Sequence, residues 1–247
     1  MRRNGVNIAD TTILITGASQ GIGRHLAVHF SRKCAGLVLM ARNQANIEET
    51  ARLVRGAGGC PCDWHVSDLS DADSLVRLVE DIKAGGKKVH LLINNAADVT
   101  SLPLMDSSLD QIDGLIRTNV TGCLQLCRLI APMMLEAGGG MIVNTSSLAG
   151  YKPNPAQTVY SVSKAAVNAI SDAVRAELGP KGIRVMNLAV PGVATNGTPK
   201  PGQMTMEAFA ARLEKAIARD ETELFFSPVT KWLMRLYKFC PALARLR

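Results

Sequence analysis

The chain has 247 residues, 47% of them apolar and 20% charged, which suits one large α/β domain and excludes a disordered or fibrous chain. Its net charge of +7 is concentrated at the C-terminus, where Phe225–Arg247 carries Lys231, Arg235, Lys238, Arg245 and Arg247 and no acid, so overall charge gives no argument for nucleic acid. No apolar run reaches the ~18 residues of a membrane-spanning helix, and no apolar block follows Arg2 and Arg3, so a cytoplasmic location without a secretory signal is expected.

Apolar strands alternate with longer periodic helices. A strand at Thr12–Thr16 leads into a helix over Gly21–Arg32. Strand Gly36–Met40 precedes helix Ala45–Arg55, and strand Cys62–Val66 precedes helix Asp71–Ala84. Strand Val89–Asn94 is followed by one long helix over Leu109–Glu136. Strand Gly140–Thr145 precedes helix Val159–Leu178, and strand Arg184–Ala189 precedes helix Met206–Arg219, with Thr205 as its cap. Strand Glu223–Phe226 closes the series. Most strands are short, unbroken apolar runs, as strands covered on both faces are. The alternation predicts an α/β fold: a doubly wound parallel sheet flanked by helices, a three-layer sandwich, in a single domain over residues 1–226. The Pro- and Gly-rich stretch Pro191–Gly202 reads as a loop over a site. Six cysteines are expected to be reduced: Cys60 and Cys62 flank a proline, Cys123 and Cys127 share a helix face, and Cys34 and Cys240 stand alone. Their spacing lacks Cys-x2-Cys pairs, so no metal site is expected.

The first strand runs straight into Thr16–Gly17–Ala18–Ser19–Gln20–Gly21–Ile22–Gly23. Glycines there permit a tight turn and close backbone approach, and the following helix start offers unpaired N–H groups to a pyrophosphate. The second strand ends in Ala41–Arg42–Asn43 with no acid before Glu48. An acid at this point would meet the ribose diol of NAD, whereas Arg42 can meet the 2′-phosphate of NADP, with Ser19 and Arg24 assisting. Asp68 is a candidate for the adenine amino group, with a helix cap as its alternative role; Leu69 is its apolar neighbour in the same wall.

Tyr160 and Lys164 are four apart on one helix. A Lys ammonium beside a Tyr hydroxyl favours phenolate, which equips the Tyr to exchange a proton with a carbonyl or alcohol oxygen. Ser147 lies at the carboxyl end of a strand, where a hydroxyl can hold a developing alkoxide; Ser146 is the neighbouring hydroxyl, read as a structural cap. Asn95 and Ala96 end the fourth strand, and small residues there leave room for a flat ring. Asn119 sits inside an apolar helix, either holding a water in a relay with Lys164 or bonding backbone and bending the helix. Pro191, Gly192, Val193 and Thr195 border the nicotinamide side.

In this order, Thr16-Gly-x3-Gly-x-Gly23, Asp68, Asn94–Asn95–Ala96, Asn119, Ser147, Tyr160-x3-Lys164 and Pro191–Gly192 resemble the short-chain dehydrogenase/reductase family over Thr11–Phe226. The resemblance implies a Rossmann-type domain and NAD(P)-dependent hydride transfer, with Asn119, Ser147, Tyr160 and Lys164 as the catalytic group. It implies further that Lys164 binds the nicotinamide ribose and connects to a water held by Asn119. Ala97 replaces the usual Gly after Asn-Asn-Ala, Asn196 stands where the loop usually carries Thr, and the usual C-terminal Val-Asp-Gly-Gly is missing. The last departure favours a homodimer over a tetramer, through the helices around Asn119–Leu135 and Val159–Leu178.

The expected activity is NADP(H)-dependent interconversion of a carbonyl and a secondary alcohol, acting on a hydrophobic ketone or β-keto acyl compound. An NAD(H)-dependent alcohol dehydrogenase and a catalytically silent dinucleotide sensor are the alternatives. Met204, Met206, Phe209 and Leu213 suggest an apolar wall near the substrate. Residues 227–247 form a basic amphipathic extension in which Trp232, Leu236 and Phe239 recur at helical spacing. Packing on the domain or a partner, closure over a pocket holding an anionic or carrier-linked substrate, and peripheral membrane contact are its candidate roles.

Overall fold

A computed structural model describes residues 6–193 and 203–239, the last two of these by backbone alone. Seven parallel strands form one sheet: β1 (Thr12–Thr16), β2 (Gly36–Ala41), β3 (Cys62–Val66), β4 (Leu91–Asn94), β5 (Gly140–Ser147), β6 (Ile183–Val190) and β7 (Glu223–Leu224). Their order is β3-β2-β1-β4-β5-β6-β7. The chain therefore winds outward from β1 in one direction, then returns to build the other half from β4. The carboxyl ends of β1 and β4 flank the point of reversal, where an open α/β sheet leaves a crevice.

Alternation along each strand divides the core in two. Ile13, Ile15, Leu37, Leu39, Leu91, Ile93, Met141 and Val143 face one layer, which holds α1 (Gly21–Ser31) and α7 (Met206–Ala218). Leu14, Val38, Met40, Leu92 and Ile142 face the other, which holds α3 (Ala72–Ala84), α5 (Cys123–Glu136) and α6 (Thr158–Leu178). Both faces of the inner strands are dry, which is why they read as apolar runs; β3 at the edge is half-buried. Helix α2 (Gln44–Gly56) lies against β3 and α1. Asn43, Asp71, Ser108 and Thr205 cap α2, α3, α4 (Leu109–Ile116) and α7 through side-chain oxygens.

Three local expectations need correction. The single helix over Leu109–Glu136 is α4, a π-helical turn at Arg117–Gly122, and α5. A Cβ on Gly122 would fall 2.0 Å from the Leu69 carbonyl oxygen, so this glycine lets the segment after β3 lie on the helix. Strand β7 is only Glu223–Leu224; Phe225 and Phe226 leave the ladder to pack against the Tyr151 and Phe209 rings. Cys34 does not stand alone, since its sulfur lies 3.3 Å from that of Cys60. Among the described residues every cysteine is a free thiol, and no helix is long and apolar enough to cross a membrane.

The last helix, α8 (Pro228–Phe239), packs through Met234 onto Phe225 and Ala189, with Leu148 and Tyr237 alongside.

Candidate active site

A cleft of about 620 Å³ opens above the carboxyl ends of β1, β2, β4 and β5. The glycine loop forms its floor. Gly17 has φ +66°, and a Cβ there would approach Ala96 Cα to 2.8 Å. A Cβ on Gly23 would fall 2.2 Å from the Gly17 carbonyl oxygen, so the loop and α1 touch only because both residues lack side chains. Helix α1 begins at Gln20 without a side-chain cap, leaving its first N–H groups to the cleft. Gly17, Ser19, Gln20, Gly21 and Ile22 line this floor, and Gly23 lies beneath it.

Arg42, Asp68 and Leu69 form the wall at the ends of β2 and β3. Arg42 is exposed and has no ion pair among the described residues. The Asp68 carboxylate accepts from the Ser70 N–H and hydroxyl through one oxygen, both at 2.8 Å. It is not the helix cap; Asp71 is.

The opposite wall carries Asn95, Ala96, Thr145, Ser146, Tyr160 and Lys164. Helix α6 brings Tyr160 and Lys164 to the end of β5, with the Lys164 nitrogen 5.6 Å from the centre of the Tyr160 ring. Lys164 donates to the Thr145 carbonyl at 2.9 Å, and burial pulls its ammonium down from 10.5 to about 8. Burial pushes the Tyr160 hydroxyl above its ordinary range, and a hydrogen bond with Ser147 draws it partly back. The expected depression of Tyr160 by Lys164 is absent, because loss of hydration outweighs an ammonium directed at a backbone carbonyl. Ser147 also accepts from the Ala149 N–H at 3.2 Å.

The family model for the short chain dehydrogenases matches residues 11–205. The chain belongs to this family. It is therefore an NAD(P)-dependent oxidoreductase with a Rossmann-type fold. It is similar to the ketoacyl reductase HetN of a Nostoc species, 33% identical over 91% of this chain and 82% of that protein. Among solved structures, the bulky-bulky ketone specific alcohol dehydrogenase from Comamonas testosteroni superposes with a TM-score of 0.80. It is 27% identical and is covered over 96% of its length by 97% of this chain. A metagenomic short-chain oxidoreductase in complex with NADP gives a TM-score of 0.77 at 28% identity, over 90% of this chain and 99% of that one.

Several residues of the dehydrogenase sit differently from expectation. The Asn119 side chain takes the second of its two expected roles, bonding backbone within a distorted helix: its oxygen accepts from the Asp98 N–H at 2.7 Å, and its nitrogen donates to the Asp98 carbonyl at 2.8 Å and to Ser163 at 3.1 Å. It clamps the strand exit after β4 to the π-turn. Arg24 does not assist at the cleft mouth, because its guanidinium donates to the Ser19 carbonyl, the Asn46 carbonyl and Thr50. Ser146 is not a cap; it donates to the Lys164 carbonyl at 3.1 Å, fixing α6 to β5. Pro191, Gly192 and Val193 follow β6 at the edge of the cleft, and Val193 bridges to Met204. Thr195 and Asn196 lie outside the described residues. Met206, Phe209 and Leu213 are buried in the core rather than open to a substrate.

Sequence reasoning missed Thr16, whose hydroxyl oxygen accepts from the Asn95 and Ala96 N–H groups at 3.0 and 2.9 Å. It also missed Asn144, which accepts from Asn94 at 2.9 Å and donates to Ser171 at 3.1 Å inside the sheet. A polar residue inside each apolar strand was the available signal.

Proposed function

We propose that this chain is an NADP(H)-dependent carbonyl reductase of hydrophobic ketones or β-keto acyl compounds. The observation that carries the reading is the meeting of Tyr160, Ser147 and Lys164 beside a glycine cradle with the exposed Arg42 at its far end. The cradle fits a dinucleotide: Gly17 and Gly23 occupy positions a Cβ would fill, and the uncapped start of α1 faces the same space. When bound, the nicotinamide supplies the hydride.

In this reading the chain's own residues do the rest. The N–H groups at the start of α1 hold the pyrophosphate, and Arg42 holds the 2′-phosphate. Asp68 accepts from the adenine amino group through the oxygen Ser70 leaves free. Ser147 donates to the substrate oxygen, and Tyr160 delivers its proton to that oxygen as charge develops there. Lys164 holds the nicotinamide ribose from its anchor on the Thr145 carbonyl. Asn119 positions the wall after β4 through Asp98. Pro191, Gly192 and Val193 border the carboxamide. The ketoacyl reductase and ketone-specific dehydrogenase among its relatives support a carbonyl substrate, and the NADP complex supports the cofactor. A homodimer built on α5 and α6 is part of the same proposal.

Parallel turnover with NADPH and NADH over ketones and β-keto thioesters tests the reading. Tyr160→Phe is expected to bind cofactor normally and to lose at least about a hundredfold in kcat. Full activity in that variant overturns the assignment.

A further inference from the structure

We infer that α8 docks the enzyme on an anionic lipid surface through an outward-facing apolar stripe. Val229, Trp232 and Leu233 fall at i, i+3 and i+4 and are 74%, 65% and 37% exposed, while Met234 on the opposite side is 6% exposed. The helix thus packs by one face and leaves an aromatic and aliphatic face in solvent. Trp232, which the sequence pattern suggested for packing, points away from the domain. A Trp–Leu–Val stripe of this size suits the boundary between headgroups and acyl chains.

Charge selects the occupant. Residues 225–247 contribute five Lys and Arg and no acid. Of these cations Arg235 is paired with Glu223, which also accepts from Tyr151, and the acids just before it in sequence are engaged elsewhere, Glu221 with Arg212 and Asp220 with Arg184. Lys152 lies over the Tyr237 ring, on the side of the helix that packs against the domain. A second copy of α8 laid on the stripe would bring like charges together, whereas an anionic bilayer complements them. The engaged acids also brace the helix, since Arg235 reaches Glu223 at 3.0 Å and Glu223 accepts from Tyr151 at 2.9 Å. The same brace fixes its orientation. Leu148, next to Ser147, packs in one cluster with Phe225 and Met234, so the docked helix borders the end of β5 that carries Ser147.

The inference goes beyond the proposed reaction and does not need it, because its test measures binding. The full chain is sedimented with vesicles of phosphatidylcholine mixed with phosphatidylglycerol, and with phosphatidylcholine alone, at low and high salt. Binding to the mixed vesicles is expected, weakened by high salt. Lys231→Glu is expected to weaken it at least about fivefold, the effect of one cation at such a surface. Trp232→Glu is expected to weaken it at least about tenfold while leaving the melting temperature and soluble-substrate turnover unchanged. Absence of binding overturns the inference, as does binding indifferent to both substitutions. Dimerisation in light scattering that Trp232→Glu abolishes, without vesicle binding, assigns the stripe to a second copy and overturns it too.

Discussion

Replacing Lys164 by Met separates the stabilising and functional roles of the buried ammonium. Lys164 is 3% exposed, and burial lowers it from 10.5 to about 8. Between those values the unfolded chain holds a proton at this position and the folded chain does not. Folding stability attributable to Lys164 therefore rises with pH across that window and is lost as pH falls through 8. A shift of about 2.5 units corresponds to about 3 kcal/mol at full extent. Cys34 and Cys62, both pushed up to about 12 by burial, oppose this trend, because they resist ionisation that the unfolded chain undergoes from pH 9. Both thiols are common to parent and variant and cancel in the difference, which reports Lys164 together with Cys123, the buried thiol that its ammonium lowers. Urea unfolding at intervals from pH 7 to pH 11 should show the parent gaining about 3 kcal/mol on Lys164→Met. At pH 7 the variant escapes the cost of the buried charge but loses the bond to the Thr145 carbonyl, worth about 1.5–3 kcal/mol, so the two proteins should lie within about 1–2 kcal/mol. Turnover should be lost. A stability difference that stays constant with pH would refute the reasoning.

Gly122→Ala should destabilise the fold by about 1–3 kcal/mol, because the new methyl must displace the Leu69 backbone; a melting curve with unchanged midpoint would count against that contact. Thr16→Val keeps the shape but leaves the Asn95 and Ala96 N–H groups without their acceptor, and should cost about 2–4 kcal/mol in urea unfolding. Arg42→Asp should move cofactor preference at least about tenfold from NADPH towards NADH, read as the ratio of kcat/KM values, and an unchanged ratio would remove Arg42 from phosphate binding. Gly23→Ala should abolish dinucleotide binding measured by fluorescence quenching, since the loop cannot close on α1.

The sheet was legible because its inner strands are dry on both faces and announce themselves as apolar runs, whereas the edge strand β3, with Asp63 and His65, does not. The same cue failed at β7, where Phe225 and Phe226 are apolar for ring packing and not for strand pairing. The π-turn was not legible as a period, because six residues are too few to distinguish its winding from that of an α-helix. Its traces were Asn119 and Gly122, one polar and one small residue in an apolar stretch. What each does depends on Asp98 and Leu69, partners that sequence spacing does not reveal. Arg24 was misread for a related reason. A basic residue near a glycine loop resembles a phosphate ligand, but the carbonyls of Ser19 and Asn46 lie within its reach. Cys34 and Cys60 meet only because β2 and β3 begin side by side.

The polar residues hidden in β5 account for how rigid elements, not loops, hold the site. Three successive positions each tie the strand to its surroundings. Asn144 links it to Asn94 on β4 and Ser171 on α6; the Thr145 carbonyl receives Lys164; Ser146 grips the Lys164 backbone. A one-residue slip of β5 would turn Asn144 and Ser146 to the opposite layer, among Met186 and Leu188, and leave buried amides and hydroxyls unpaired. An all-apolar strand would carry no such penalty and would tolerate the slip. The network therefore fixes the register on which the approach of Tyr160 to Ser147 depends. In the proposed mechanism those groups share one substrate oxygen within hydrogen-bond reach, so a displacement of about 1 Å would cost far more in rate than in stability.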